Sequence, residues 1–410
     1  MAETVVVCEV GPRDGLQIVK AIMPTAVKHR WIAALADAGL PQIEVGSFVP
    51  AKLLPQMADT AEIVREAVKR TETSNPNLTV VALAPNLRGA QAAYEAGAQR
   101  ISVPVSVTEG HSRSNLNRSV DEQIAEVGRI TAWLRAQPRH VPTEIACSTA
   151  FGCSFDGAVP VATVVRVAVA LAEAGADAVA LADTVGYGNP LEIKAKVRAV
   201  RQEIGDKLYC LHLHDTCGLG IANALAGLEE GIRKFDSALA GLGGCPFAPG
   251  ASGNIVTEDL VFLLESTGFQ TGIDLEKLIA ARAILREGLP NEPMYGNLAR
   301  AGVPRTFRRA ACRIKKGRCA HRPCLRSGVC LSGYRRRAPQ SHCCRNSRCQ
   351  QLRCPFHGYG QRRDIGWHRS APSWSRSPDC TGAHPHPGPG RPSPHRCRAP
   401  ELQPQQSSWI

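Results

Sequence analysis

The chain has 410 residues, enough for one large α/β barrel or two ordinary domains. Its net charge of +13 is lopsided: from Arg305 onward there are 22 Lys or Arg against 3 Asp or Glu, and residues 1–304 carry 27 against 33, a net of −6. A mildly acidic body gives no electrostatic reason to bind nucleic acid, and no apolar run is long enough to span a membrane.

In chain order, "TVVVCEVG" reads as a strand from residue 4 onward. Four later segments repeat one small pattern: "ADAGLPQIEVGS", "YEAGAQRISVPV", "AEAGADAVALAD" and "LEEGIRKFDSAL". Each has a helix-forming run, a glycine (Gly39, Gly97, Gly175 or Gly231), a short linker and an apolar strand. Glycine there suits the left-handed residue that ends a helix, so the repeat marks helix-to-strand junctions. With "NLTVVALAPN", "PTEIACSTAFG" and "KLYCLHLHDT" the expected strands number eight. They fall near residues 4–10, 42–48, 78–84, 100–107, 143–149, 177–183, 208–214 and 235–241.

The intervening segments are long enough for crossover helices, and residues 274–304 supply a further helical piece. Eight such units predict an α/β protein of the (β/α)8 TIM-barrel class. An open doubly wound sheet is the alternative, but "CEVGPRDGLQ" is not its glycine fingerprint. The barrel body is read as residues 1–304 and the tail as residues 305–410. The tail is rich in Arg, Pro, Ser, His and Cys, shows no sustained period and lacks the C-x2-C spacing of a zinc module. It is expected to be disordered and a shifted-frame or otherwise non-native extension.

In a barrel, chemistry gathers at the carboxyl ends of the strands. Polar residues collect there: Arg13 and Asp14; Glu44 and Ser47; Ser148 and Thr149; Asp183 and Thr184; His212, His214 and Asp215. In "LHLHDT" two imidazoles stand two residues apart, hence on one face of a strand. They read either as core histidines bonded to backbone or, with Asp14, as a mixed nitrogen and oxygen shell for a divalent cation such as Mg2+ or Mn2+. The glycine-rich stretch "GLGGCPFAPGASGN", residues 241–254, reads as a loop closing over the mouth. Cys245 in its middle is a candidate thiol acid or base, and Asn254 at its end a candidate oxygen ligand.

Together "EVGPRDGLQ", "IEVGSFV", "PQMAD", "LADTVG", "HLHDT" and "AGLGGCPFAPGASGNIVTEDLV" closely resemble the hydroxymethylglutaryl-CoA lyases, within the DRE-TIM metallolyase group. The resemblance implies cleavage of 3-hydroxy-3-methylglutaryl-CoA to acetyl-CoA and acetoacetate, with an acyl-CoA substrate and a divalent metal, Mg2+ or Mn2+. By position it implies Asp14, His212, His214 and Asn254 as metal ligands. Arg13, Asp14, Glu44, Asp183 and Cys245 match the catalytic residues, and Gln17, Lys20 and Ser47 the substrate-lining ones. Two departures concern the acyl group: "FVPAKLLPQ" replaces the family's usual run after the second strand, and Ala146 stands where the animal lyases place a tyrosine. A lyase for citramalyl-CoA or a longer 3-hydroxy-3-alkylglutaryl-CoA, and a claisen-type synthase, therefore stay open. The apolar setting of Cys8, Cys147 and Cys210 points to a reducing, cytoplasmic compartment. A homodimer is expected, without membrane or nucleic-acid partners.

Overall fold

The computed structural model describes residues 3–243 and 253–307. Eight parallel strands close into a barrel in chain order. They are β1 (Val6–Glu9), β2 (Gln42–Ser47), β3 (Thr79–Leu83), β4 (Arg100–Ser106), β5 (Thr143–Ser148), β6 (Ala178–Asp183), β7 (Leu208–Leu213) and β8 (Lys234–Ser237). Closure comes from β1 pairing with β8, with Val6 opposite Lys234 and Glu9 opposite Ser237. The crossover helices are α1 (Thr25–Asp37), α2 (Thr60–Thr73), α3 (Leu87–Ala96), α4 (Glu109–Leu116), α5 (Val120–Arg135), α6 (Val161–Glu173), α7 (Pro190–Ile204) and α8 (Gly220–Glu229). Then follow α9 (Thr257–Ser266), α10 (Leu275–Gly288) and α11 (Asn297–Ala301); α10 packs beside α1. None of the described helices is long and apolar enough to cross a membrane.

The four junction glycines sit where the repeat predicts them. Gly39, Gly97, Gly175 and Gly231 have φ of 92°, 98°, 96° and 85°, a region in which a Cβ would cost about 1–2 kcal/mol. Each turns a helix end into the next strand over a few residues, which keeps the strands in register.

Seven strands lie inside their expected windows, and β8 departs. It begins one residue early and stops at Ser237, four residues short of its expected end. The reason is local. Ala238 N still donates to a backbone carbonyl, that of Ile255 (3.0 Å), but the next two backbone donors are claimed by buried carboxylates: Leu239 N donates to Glu9 Oε1 (2.8 Å) and Ala240 N to Glu258 Oε2 (3.0 Å). The chain therefore coils through a short 3-10 turn at Leu239–Gly241.

Glu9 is the hub of that corner. Besides Leu239 it accepts from Gly11 N (3.0 Å) and Thr257 Oγ1 (2.7 Å), joining β1, the turn after β8 and α9. Complete burial nonetheless outweighs these three donors and lifts its pKa to about 8. A carboxyl raised from 4.5 stabilises the fold fully below its unfolded value and progressively less as pH climbs through about 8. Glu9→Gln, neutral throughout, is therefore expected to gain stability relative to the native chain as pH rises from about 5 to about 9, read from urea midpoints. A difference that does not change with pH would refute the assignment.

Candidate active site

Inward-facing strand residues alternate with outward ones, so Ser102 and Pro104, Glu144, Ala146 and Ser148, Ala182, His212 and Asp236 share the lumen. Above them a cavity of about 380 Å³ opens at the carboxyl ends of the strands. Arg13, Asp14, Gln17, Lys20, His212 and His214 line its polar side. Ile18, Val49, Leu53 and Leu54 form an apolar wall.

Arg13 and Asp14 are presented by a single π-type turn, Gly11–Gly15, directly after β1. The N–H groups of Arg13, Asp14 and Gly15 all converge on the Val10 carbonyl, at 3.0, 2.7 and 3.4 Å. Such wide turns are rare and recur at functional sites. The turn has no slack: a Cβ at Gly11 would lie 2.5 Å from Glu9 Oε1, and one at Gly15 would lie 2.9 Å from Leu242 Cδ2.

The two Asp14 oxygens do different things. Oδ1 takes the Arg13 guanidinium (Nη1, 2.5 Å) and Gln17 Nε2 (2.9 Å). Oδ2 accepts from Asn254 Nδ2 (2.7 Å) and faces His214 Nε2 (3.6 Å) and His212 Nε2 (3.8 Å). His212 ends the inward row of β7, and His214 stands just past the strand, bridged to Asn254. Both rings turn their Nδ1 away from Asp14. His212 Nδ1 meets Asp236 Oδ2 (3.2 Å), and His214 Nδ1 meets the Asp183 carbonyl (3.0 Å). Such partners on Nδ1 fix a histidine with Nε2 available as a ligand.

The electrostatics agree. Burial alone would raise Asp14, but Arg13 and the two imidazoles outweigh it and hold the carboxyl well below its ordinary value. Burial would lower His212, but Asp236 and Asp14 raise it instead. One carboxylate oxygen and two imidazole nitrogens thus lie within 4.8 Å of one another, all buried. Asn254 Oδ1 beside them is buried without a hydrogen-bond partner, an orphaned acceptor at the same spot. This set fits a divalent cation.

Arg13 is held from its other side by Glu44 Oε2, which receives both Nε and Nη2 at 2.6 Å. Burial raises Glu44 despite that guanidinium, and its Oε1 has no partner. Each terminal nitrogen of Arg13 keeps one further N–H beside the cavity. Lys20 is on the cavity lining. Ser47 is buried with an unpaired Oγ and lies outside the lining. The Asp183 carboxylate turns away, accepting from Tyr187 N and Gly188 N at 3.0 Å each, and only its carbonyl reaches His214. Cys245 lies outside the described residues, as does the tail beyond residue 307.

A family profile described as HMGL-like matches residues 4–285. The chain belongs to the HMGL-like family. It is 41% identical over 283 residues to the mitochondrial hydroxymethylglutaryl-CoA lyase of Bos taurus, covering 69% of this chain and 85% of that protein. It is 39% identical over 311 residues to the hydroxymethylglutaryl-CoA lyase of Pseudomonas mevalonii, covering 75% and 99%. Among solved structures it is similar to an HMG-CoA lyase from Acinetobacter baumannii in complex with coenzyme A and 3-methylmalate. There the TM-score is 0.68 and the identity 38%, over 74% of this chain and 97% of that one.

Sequence reasoning missed three polar features of this HMGL-like site. Asp236 supports His212 from β8, and Glu144 and Lys234 form a salt bridge in the lumen below it. His111 on α4 lines the cavity, bonded to Ser106 Oγ (2.7 Å), and burial lowers it to about 4. A signal did exist for the lumen group. Glu144 and Ala146, like Lys234 and Asp236, are period-two neighbours inside strands, where charge is out of place unless it faces a partner.

Proposed function

We propose that this chain is a divalent-metal-dependent carbon–carbon lyase that cleaves 3-hydroxy-3-methylglutaryl-CoA to acetyl-CoA and acetoacetate. The observation that carries the reading is the meeting of Asp14, His212, His214 and Asn254 beside the Arg13–Glu44 pair, at the mouth of one cavity. Membership of the HMGL-like family and a relative in complex with coenzyme A support an acyl-CoA substrate.

Asp14, His212, His214 and the Asn254 amide would hold the ion, Mg2+ or Mn2+ by the balance of oxygen and nitrogen donors. When bound, it supplies the acidity that the tertiary alcohol lacks, as coordination takes water from about 15.7 to about 7. The chain does the rest. Arg13, clamped between Glu44 and Asp14, offers its remaining N–H groups to the thioester oxygen, where negative charge gathers as the carbon–carbon bond breaks. Glu44 keeps that guanidinium from swinging away. Lys20 on the cavity lining suits an anionic group of the substrate, and the apolar wall excludes water from the enolate. Cys245 is the candidate proton donor to the enolate carbon, and Asp183 acts through the turn it caps and through His214. Residues 1–304 form the catalytic body, with the basic tail outside the reaction. A reducing, cytoplasmic setting is supported by Cys8, Cys147, Cys153, Cys210 and Cys217, which are all free.

One observation favours a second reading. Ala146 is a small residue on the cavity lining, and Val49, Leu53 and Leu54 on the same lining are apolar, which suits a longer 3-alkyl group. Both readings are tested together. The metal-stripped chain is given single cations and a panel of 3-hydroxy-3-alkylglutaryl and citramalyl thioesters, and the released keto acid is measured. Acetoacetate from the methyl substrate is expected only when a divalent cation is added. Release without any cation would overturn the metal role, and no release from any thioester would overturn the lyase.

A further inference from the structure

Beneath the Asp14 and histidine group the lumen contains a second set of charges. Lys234, the first residue of β8, is only 1% exposed. Its Nζ lies 2.6 Å from both carboxylate oxygens of Glu144 on β5, across the barrel, and 3.5 Å from Asp236 Oδ1 on its own strand. Arg100 Nη1 at the start of β4 approaches Glu144 Oε2 at 3.6 Å. Cys210 Sγ donates to Asp236 Oδ1 at 3.4 Å. Glu144, Cys210 and Asp236 are grouped as metal ligands can be, but the Lys234 ammonium sits between the two carboxylates. The chain supplies that cation itself.

A buried ammonium is costly unless paired, and pairing it with an inert carboxylate would suffice for stability alone. The arrangement does more than pair it. Lys234 and Cys210 take one oxygen of Asp236, and the other points at His212 Nδ1. The far nitrogen of that ring faces Asp14. We propose that Lys234 and Glu144 are positioning residues for the cation site: the pair pins Asp236 Oδ1, which keeps Oδ2 on His212 and turns His212 Nε2 toward the ion. The inference rests on the divalent-cation reading above. No step of the reaction passes through either residue.

The test uses the full, metal-stripped chain. Mn2+ is titrated in while the electron paramagnetic resonance signal of the free ion is followed, and thermal midpoints are taken on the same samples. Lys234→Met is expected to weaken Mn2+ binding by up to about 10-fold, the low end of the range for loss of a partner behind a ligating histidine, because Lys234 acts one link further back, through Asp236. Lys234→Arg, which keeps the charge but not the shape of the ammonium, should recover part of that loss. Glu144→Gln, which frees Lys234 to move, should weaken binding in the same direction and by less. A folded Lys234→Met protein with native Mn2+ affinity and a lower thermal midpoint would show a purely structural role and overturn the proposal. Should Lys234→Met fail to fold, native affinity in Glu144→Gln overturns it equally. A native chain that does not take up Mn2+ overturns the cation reading instead, so the two failures are distinct.

Discussion

Replacing Arg13 by glutamine is expected to lower turnover by about 10²–10³-fold, the 3–4 kcal/mol typical for loss of one preorganised donor to a developing oxyanion. Mn2+ binding should stay near native. The separation follows from which oxygen does what: Arg13 binds Asp14 Oδ1, whereas the imidazoles and Asn254 address Oδ2. Arg13 also has a partner that the substitution strands. Glu44 Oε2 loses both of its guanidinium bonds in a buried setting, so a modest drop in thermal stability should accompany the kinetic loss. Steady-state rates with saturating cation, set beside Mn2+ titrations, provide the check. Near-normal turnover would remove Arg13 from the chemistry, and parallel loss of metal and rate would reassign it to the ion site.

Asp14→Asn should behave in the opposite sense. The amide keeps the shape of the side chain but removes the carboxylate that is grouped with the two imidazole Nε2 atoms among the described residues. Removing one partner from a buried charge cluster costs about 3–5 kcal/mol, so Mn2+ affinity is expected to fall at least a hundredfold. Turnover should fall with it, because the remaining donors are neutral and Arg13 loses one of its two counter-charges. Mn2+ titration and metal content after dialysis decide the matter. Native metal content in a folded Asp14→Asn protein would mean that the ion sits elsewhere. The two variants thus divide the site into an ion-holding half and a charge-stabilising half.

The barrel was legible because its signals are local. Junction glycines and apolar runs depend on neighbours a few residues away, and seven strands fell in their windows. The end of β8 was not legible: what stops it is a hydrogen bond from Leu239 to Glu9, 230 residues away. The same division runs through the site. His212 and His214 declare themselves by spacing, and Asp14 by its place after the first strand. Glu144 and Lys234 are 90 residues apart, and nothing near either one names the other. Asp183 is an intermediate case: its position at a strand end is readable, but the turn at Tyr187 and Gly188 redirects its carboxylate away from the cavity.

Asn254 reaches back over 240 residues to Asp14, tying the last unit of the barrel to the first. An ion held across that seam, as proposed, would have no half-built binding place, because a chain that has made seven units still lacks Asn254. Uptake of an ion at the proposed site would therefore report on completion of the barrel and, by mass action, draw unfinished molecules toward the closed state. Loosening the seam far from the chemistry would then show first as a weaker hold on the metal, before any change in the substrate pocket.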